Sequence, residues 1–232
     1  MNIIYLLFHG LSPYSGISKK ILHQVKGFEA CGHRVSLCTY SIADNGHRVR
    51  MINNEIIEDY GTGKPAAAKR RVSYQCIYRY AVTHQVELIY VRSFHNANPF
   101  TIRLFSKLRK AGIKIAMEIP TYPYDSEYAG FPLVTRLGIQ VDKVFRKTLA
   151  KHVNAIVTFS DYHCIFGQRT IQISNGVDFD SIPLKKTVAK NTSVIHLLGV
   201  AEVHYWHGYD RLIEGLSLIH ISEPTRPRLI SY

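Results

Sequence analysis

Residues 2–40 read NIIYLLFHGLSPYSGISKKILHQVKGFEACGHRVSLCTY, and this stretch decides the fold class. Residues 2–8 form a short apolar run bounded by His9, Gly10 and Pro13, the pattern of a strand buried on both faces and central in a sheet. After Gly16 the apolar residues Ile17, Ile21, Leu22, Val25 and Phe28 recur at helical spacing, and the run stops at Gly32, a common helix terminator. Val35, Leu37 and their neighbours up to Tyr40 then predict a second strand. Strand, helix and strand within ~40 residues make one parallel unit.

Outward from that unit the alternation continues. Val49, Met51, Ile56 and Ile57 flank Asn53-Asn54 within residues 47–60, which predicts a hairpin or edge strands. Helix is predicted over 66–84, strand over 87–92, helix over 98–111 and strand over 113–119. A loop rich in proline and tyrosine follows, Pro120 to Tyr128. Leu133, Val134, Leu137, Val141, Val144, Phe145 and Leu149 then mark a helix over 131–151, and a strand is expected over 154–160. The fold class this predicts is α/β, a doubly wound parallel sheet.

Domain organisation follows from where the pattern breaks. Residues 1–176 are expected to form the first domain, and Asn175-Gly176 is a strong turn signal. Residues 177–192, polar and carrying Pro183 and Lys185-Lys186, read as a linker. Residues 193–216 supply one strand and one helix of a second domain, too little to bury a core, so that domain is expected to be truncated. Residues 217–232 keep neither period and contain Pro224 and Pro227. They are similar to adaptor-derived read-through and are expected to be a non-native tail.

Composition narrows the class. With 232 residues, 46% hydrophobic and 20% charged, the chain can bury a core, which excludes disorder for most of its length. A formal net charge of +12 favours polyanionic partners such as anionic lipid headgroups, nucleotide phosphates or nucleic acid. No RNP-like or zinc-finger pattern occurs, so nucleic acid is not the expected partner. Cys31, Cys38, Cys76 and Cys164 form no C-x-x-C pair, which argues against a zinc site or disulfide framework and for reduced thiols in the cytoplasm. The apolar run Ile3 to Phe8 is too short for a signal segment or a membrane span. Peripheral contact with the inner membrane face stays open, because clustered Lys and Arg beside anionic lipid contribute ~1 kcal/mol each.

Several short patterns bear on chemistry. The loop His9 to Lys19 joins the first strand to its helix, where a helix N-terminus offers free N–H groups and Ser15-Gly16 lets a phosphate approach the backbone. A glycine there is also a steric requirement of many strand-to-helix turns. The absence of G-x-G-x-x-G argues against a dinucleotide enzyme. Gly61-Thr-Gly-Lys64 lacks the rest of a phosphate-loop pattern, being followed by Pro65, and reads as a loop. Asp178-Phe-Asp180 has the spacing of a metal-holding pair but sits after a turn, which favours capping, and His204 and His207 lack a third ligand. Neither a metal nor a cofactor is expected.

Glu118 ends an apolar strand immediately before the Pro120–Asp125 loop, so its carboxylate is expected to emerge at the ligand-bearing edge and handle a hydroxyl or a proton. Tyr122, Tyr124 and Tyr128 can stack on a sugar face while Asp125 and Glu127 accept hydroxyl hydrogen bonds; the alternative is a prolyl loop packed by its own tyrosines. Arg92, His95 and Asn96 end the preceding strand similarly, as acceptor contacts or as helix caps. Lys69-Arg70-Arg71, with Lys64 and Arg79 nearby, is either a solvated helix face or a phosphate contact.

Ser15-Gly16-Ile17-Ser18 followed by Cys31-Gly32-His33-Arg34-Val35 resembles the opening of family 4 glycosyltransferases, retaining enzymes of the GT-B fold. Glu118 to Asp125, Ile173-Ser-Asn-Gly-Val-Asp178 and Trp206-His-Gly-Tyr-Asp-Arg-Leu-Ile213 are similar to a polysaccharide-building bacterial branch of it. The resemblance implies two Rossmann-like domains facing a cleft, a nucleotide-sugar donor, and a sugar or lipid-linked oligosaccharide acceptor. It implies transfer with retention and no obligatory metal. Gly16 and Ile17 match the loop whose N–H groups face the donor diphosphate, and Glu118 stands where many members carry a histidine near the reacting hydroxyl. Arg92, His95, Tyr122 and Asp125 would then contact the acceptor. Val200 and His207 occupy places where members often present Arg and Lys, and the donor-domain E-x-x-x-x-x-x-x-E pattern is absent. The chain alone is expected not to turn over. The rival expectation is a non-catalytic α/β module that binds an anionic partner.

Overall fold

Strand β1 (Asn2–Leu6) sends Ile3, Tyr5 and Leu7 to one face of the sheet and Ile4, Leu6 and Phe8 to the other, and both faces are buried. The computed structural model describes residues 1–12, 14–93, 95–124, 133–176, 178–182, 197–199 and 208–217. Around β1 lies a doubly wound α/β sheet of nine strands: β2 (Arg34–Ile42), β3 (Arg48–Ile52), β4 (Glu55–Asp59), β5 (Leu88–Arg92), β6 (Lys114–Ile119), β7 (Ala155–Thr158), β8 (Cys164–Ile165) and β9 (Gln168–Gln172). Their order is β4-β3-β2-β1-β5-β6-β7-β9-β8. The six strands from β2 to β9 in that order run parallel, while β3, β4 and β8 pair antiparallel at the edges. Strand order reverses between β1 and β5, and open α/β sheets place ligands beyond the carboxyl ends at such a point.

Helix α1 (Gly16–Ala30) packs Ile21, Val25 and Phe28 on the Tyr5 face. Helices α3 (Gln75–Thr83), α4 (Pro99–Lys110) and α5 (Leu133–Ala150) contribute Ile77, Phe105, Leu108 and Leu149 to the core on the other face. Helix α2 (Gly63–Val72) lies near β3 and α4. The predicted helix over 66–84 is thus two helices. They are separated at Ser73-Tyr74, where Tyr60 Oη donates to the Ser73 carbonyl at 3.3 Å and Tyr74 Oη to the Arg71 carbonyl at 2.7 Å. Asn53 and Asn54 take φ of 48° and 71°, which closes the β3–β4 hairpin with the left-handed turn that asparagine tolerates. Gly61-Thr-Gly-Lys64, read as a loop, runs into α2, which begins at Gly63.

Helical periodicity identified α5 but not all of its inward residues. Leu137, Val141 and Val144 are exposed, whereas Ile139, Asp142 and Leu149 are buried. Ile17 and Leu22 of α1 are likewise about half exposed, and Ser18 and Ile21 face inward.

The chain divides into two units, Met1–Ile182 and Pro183–Tyr232. Residues 178–182, expected in the linker, belong to the first: Lys26 Nζ pairs with Asp178 at 2.7 Å and lies 4.0 Å from Asp180. Asp178 makes no side-chain cap to the 3-10 turn Phe179–Ser181, so the expected capping role is replaced by an ion pair with α1. Within the second unit the structure describes helix α6 (Tyr209–Ser217) and the segment 197–199. Of the expected buried strand Ser193–Gly199, residues 197–199 are described and form no strand, with Leu197 and Leu198 exposed; residues 193–196, Val200, His204, Trp206, His207 and the tail from 218 lie outside the described residues, as does Asp125. No described helix is long and apolar enough to cross a membrane.

Candidate functional site

At the order reversal between β1 and β5, the segments leaving β1, β5 and β6 enclose a cleft of about 440 Å³. His9, Ser12 and Ile17 line one side, Arg92 and His95 another, and Tyr124 a third. Gly10 permits the close approach of the first segment to β2, since a Cβ there would meet the Tyr40 carbonyl oxygen at 2.9 Å.

The N-terminus of α1 opens on this cleft. Ser15 caps the helix by accepting from Ser18 N–H at 3.5 Å, and Ser18 Oγ in turn accepts from Ser12 N–H at 2.9 Å. The N–H groups of Gly16 and Ile17 have no partner among the described residues. Among the described residues nothing lies within 4 Å of where a Gly16 side chain would stand. The first turn of α1 carries no acidic residue that would compete with an incoming anion.

Glu118 departs from expectation. Its side chain is fully buried and absent from the cleft wall. The reason is strand alternation: Glu118 shares a face with Ala116, opposite Arg92 in the β5–β6 register, and that face is covered by α1. There the carboxylate pairs with the Arg92 guanidinium and accepts from Tyr90 Oη at 2.7 Å and Gln24 Nε2 at 2.9 Å. Tyr5 Oη donates to Gln24 Oε1 at 2.6 Å and extends the network across β1. Burial, reinforced by the Glu118 charge, pushes the phenols of Tyr5 and Tyr90 far above their ordinary range, so both remain hydrogen-bond donors. Lys20, whose ammonium sits 3.4 Å above the Phe159 ring, is held below the usual lysine range by burial, against the pull of Glu118.

Arg92 therefore has two sides. It is 7% exposed, anchored from behind by Glu118, and it forms part of the cleft wall. His95, at a positive φ of 48°, stacks edge-on against Tyr124 with centroids 4.9 Å apart. Tyr124 Oη donates to Asp142 Oδ2 at 3.1 Å, and Asp142 Oδ1 accepts from Ala97 N–H at 2.9 Å. Tyr122 turns away and packs edge-on against Tyr162 and Phe166. The loop is in this respect held by its own tyrosines. Asn96 is buried, with its carbonyl accepting from Thr101 Oγ1, while Asn98 caps α4.

His9 was not singled out by the sequence. Its Nδ1 lies 2.7 Å from the Gly10 carbonyl, an acceptor only, so the proton is on Nδ1 and the basic nitrogen is Nε2. Burial holds the imidazole below its ordinary range, opposed by that hydrogen bond and reinforced by the nearby Arg92 charge. The signal that could have found it is its position as the first polar residue after β1. No group of three or more potential metal ligands occurs among the described residues. Comparison with protein-family models, with curated proteins and with solved structures finds no match to this chain.

Proposed function

We propose that the chain is the acceptor-side lobe of a retaining, nucleotide-sugar-dependent glycosyltransferase of cell-surface polysaccharide synthesis. The observation that supports this best is the meeting of the free α1 N-terminus and the Arg92 guanidinium in one cleft at the strand-order reversal. Sugar transfer from a nucleotide diphosphate breaks the C1–O bond to the diphosphate and forms a bond from C1 to an acceptor hydroxyl oxygen. Negative charge grows on the departing phosphate, and fixed N–H dipoles with a held cation stabilise it without reorganising.

Gly16 and Ile17 supply the dipoles and Arg92 the cation. Glu118 acts through Arg92, fixing its place, and so is a positioning residue. His9, kept neutral with Nε2 basic, is the cleft group suited to take the hydroxyl proton. His95 and Tyr124 would meet the acceptor ring, and a peripheral seat on an anionic inner membrane face suits the +12 charge.

Saturation-transfer NMR against a panel of neutral oligosaccharides, with UDP and GDP as diphosphate probes, tests the proposal. Expected are binding of at least one neutral oligosaccharide, insensitive to salt between 50 and 300 mM, and its weakening in Tyr124→Ala. Binding confined to polyanions, with affinity falling steeply as salt rises, would overturn it in favour of an anion-binding module.

A further inference from the structure

Two guanidinium groups engage the Tyr40 ring, and a third stands opposite it in the sheet, on the strand pair next to β1. Arg48 Nη1 donates to Tyr40 Oη at 2.6 Å, and the Arg70 guanidinium of α2 stacks on the same ring, 4.1 Å from its centroid. Arg50 stands directly opposite Tyr40 in the β2–β3 register, is 1% exposed, and donates Nη1–H to the Leu7 carbonyl at 2.7 Å. The Nε atoms of all three arginines are buried and have no hydrogen-bond partner among the described residues. Tyr40 Oη accepts from Arg48, and its own proton has no acceptor among the described residues.

No counter-charge accompanies them among the described residues. None of the three makes an ion pair among the described residues, and Glu58, across from Arg50 in the β3–β4 register, is engaged by Arg79 at 3.7 Å. The neighbours of Arg50 are neutral: burial pushes the Cys38 thiol up to about 12 and raises Cys76 and Tyr60 as well. Burial also lowers Arg70, with the Arg71, Arg48 and Arg50 charges adding to it against Tyr40. Buried cations such as Arg50 are normally paired in folded proteins, and orphaned buried donors are costly, so a group that brings negative charge and several acceptors would relieve both.

We infer that Arg48, Arg50, Arg70 and Tyr40 form a binding site for a phosphate group. Guanidinium forks match carboxylate and phosphate oxygens alike. A carboxylate offers two oxygens in one plane, whereas three guanidinium groups and a phenol brought into one neighbourhood by two strands and a helix suit the three free oxygens of a phosphate monoester. None of Tyr40, Arg48, Arg50 and Arg70 lines the cleft, and the site does not rest on the glycosyltransferase proposal.

Thermal unfolding of the full chain in inorganic phosphate against chloride of equal ionic strength tests this. Ile17→Glu, whose carboxylate takes anion binding at the cleft out of the measurement, serves as the background and is expected to gain about 3–6 °C at a phosphate concentration tenfold above the dissociation constant. Arg70→Gln and Arg50→Met, each placed in the Ile17→Glu background, are expected to lose that gain. Arg70 lies half-buried on a helix, so its variant decides the matter should Arg50→Met fail to fold. An equal gain in every variant would mark general salt stabilisation and overturn the site, as would no gain in Ile17→Glu alone. Displacement of phosphate by glycerol 3-phosphate identifies a soluble ester, and displacement by vesicles containing phosphatidic acid identifies a lipid headgroup. Displacement by neither would overturn the assignment.

Discussion

Ile17→Glu separates folding from anion recognition at the α1 N-terminus. Ile17 is 52% exposed, lies in the first turn of α1 and lines the cleft. A carboxylate at that position interacts favourably with the helix dipole by about 0.3–1 kcal/mol. Against this stands the loss of a half-buried isoleucine, about 1 kcal/mol when full burial is worth about 1.5–3 kcal/mol. The two offset each other, so the melting temperature should stay within about 4 °C of the wild type. For an anion the sign is unambiguous. Two unit charges about 5 Å apart repel by about 1–3 kcal/mol between the dielectric of water and that of a protein surface, which weakens binding about 5–150-fold. Titration calorimetry with UDP reads this directly, with Ile17→Gln as the neutral control that keeps most of the affinity. A folded Ile17→Glu protein that binds UDP as tightly as the wild type would refute the reasoning.

The remaining expectations concern the groups behind the cleft. Arg92→Met leaves the Glu118 carboxylate buried without its cation and should cost about 3–5 kcal/mol in urea unfolding, whereas Arg92→Met with Glu118→Met should recover most of the loss; a cost under about 1 kcal/mol for the single change would contradict the pairing. His9 has a folded-state pKa below its unfolded value of about 6.5, so the unfolded chain binds more protons in that window and stability falls as pH drops below 6.5. His9→Gln should flatten this slope, and an unchanged pH dependence of the melting temperature would count against it. Cys31 and Cys164 are exposed while Cys38 and Cys76 are buried, so a thiol reagent should modify two groups in the native protein and four after unfolding; rapid native reaction of all four would contradict the packing.

The strands were legible because each of β1, β5, β6 and β7 is an apolar run flanked by polar or turn residues, a pattern that only a strand buried on both faces requires. The β8–β9 hairpin was not, because Gln168–Gln172 is polar, mostly exposed and without alternation. Position along a strand was readable, but the face was not: Glu118 was located correctly at the end of β6, while its side chain belongs with Ala116 beneath α1. Gln24, on α1 between Ile21 and Phe28, is the polar interruption on an inward helix face that would have signalled a buried partner. Tyr122 and Tyr124 look alike in sequence, yet one packs on Phe166 and Tyr162 and the other walls the cleft, a distinction set by contacts with α5 and β8 neighbours far along the chain.

Backbone amide NMR during a UDP titration tests the central claim most directly, that an anion seats on the α1 N-terminus beside Arg92. The amides of Gly16, Ile17 and Ser18 should shift together and saturate with a single dissociation constant, and the shifts should vanish in Arg92→Lys if that variant keeps the wild-type spectrum elsewhere. Saturable shifts confined to other parts of the chain, with those three amides unmoved, would contradict it.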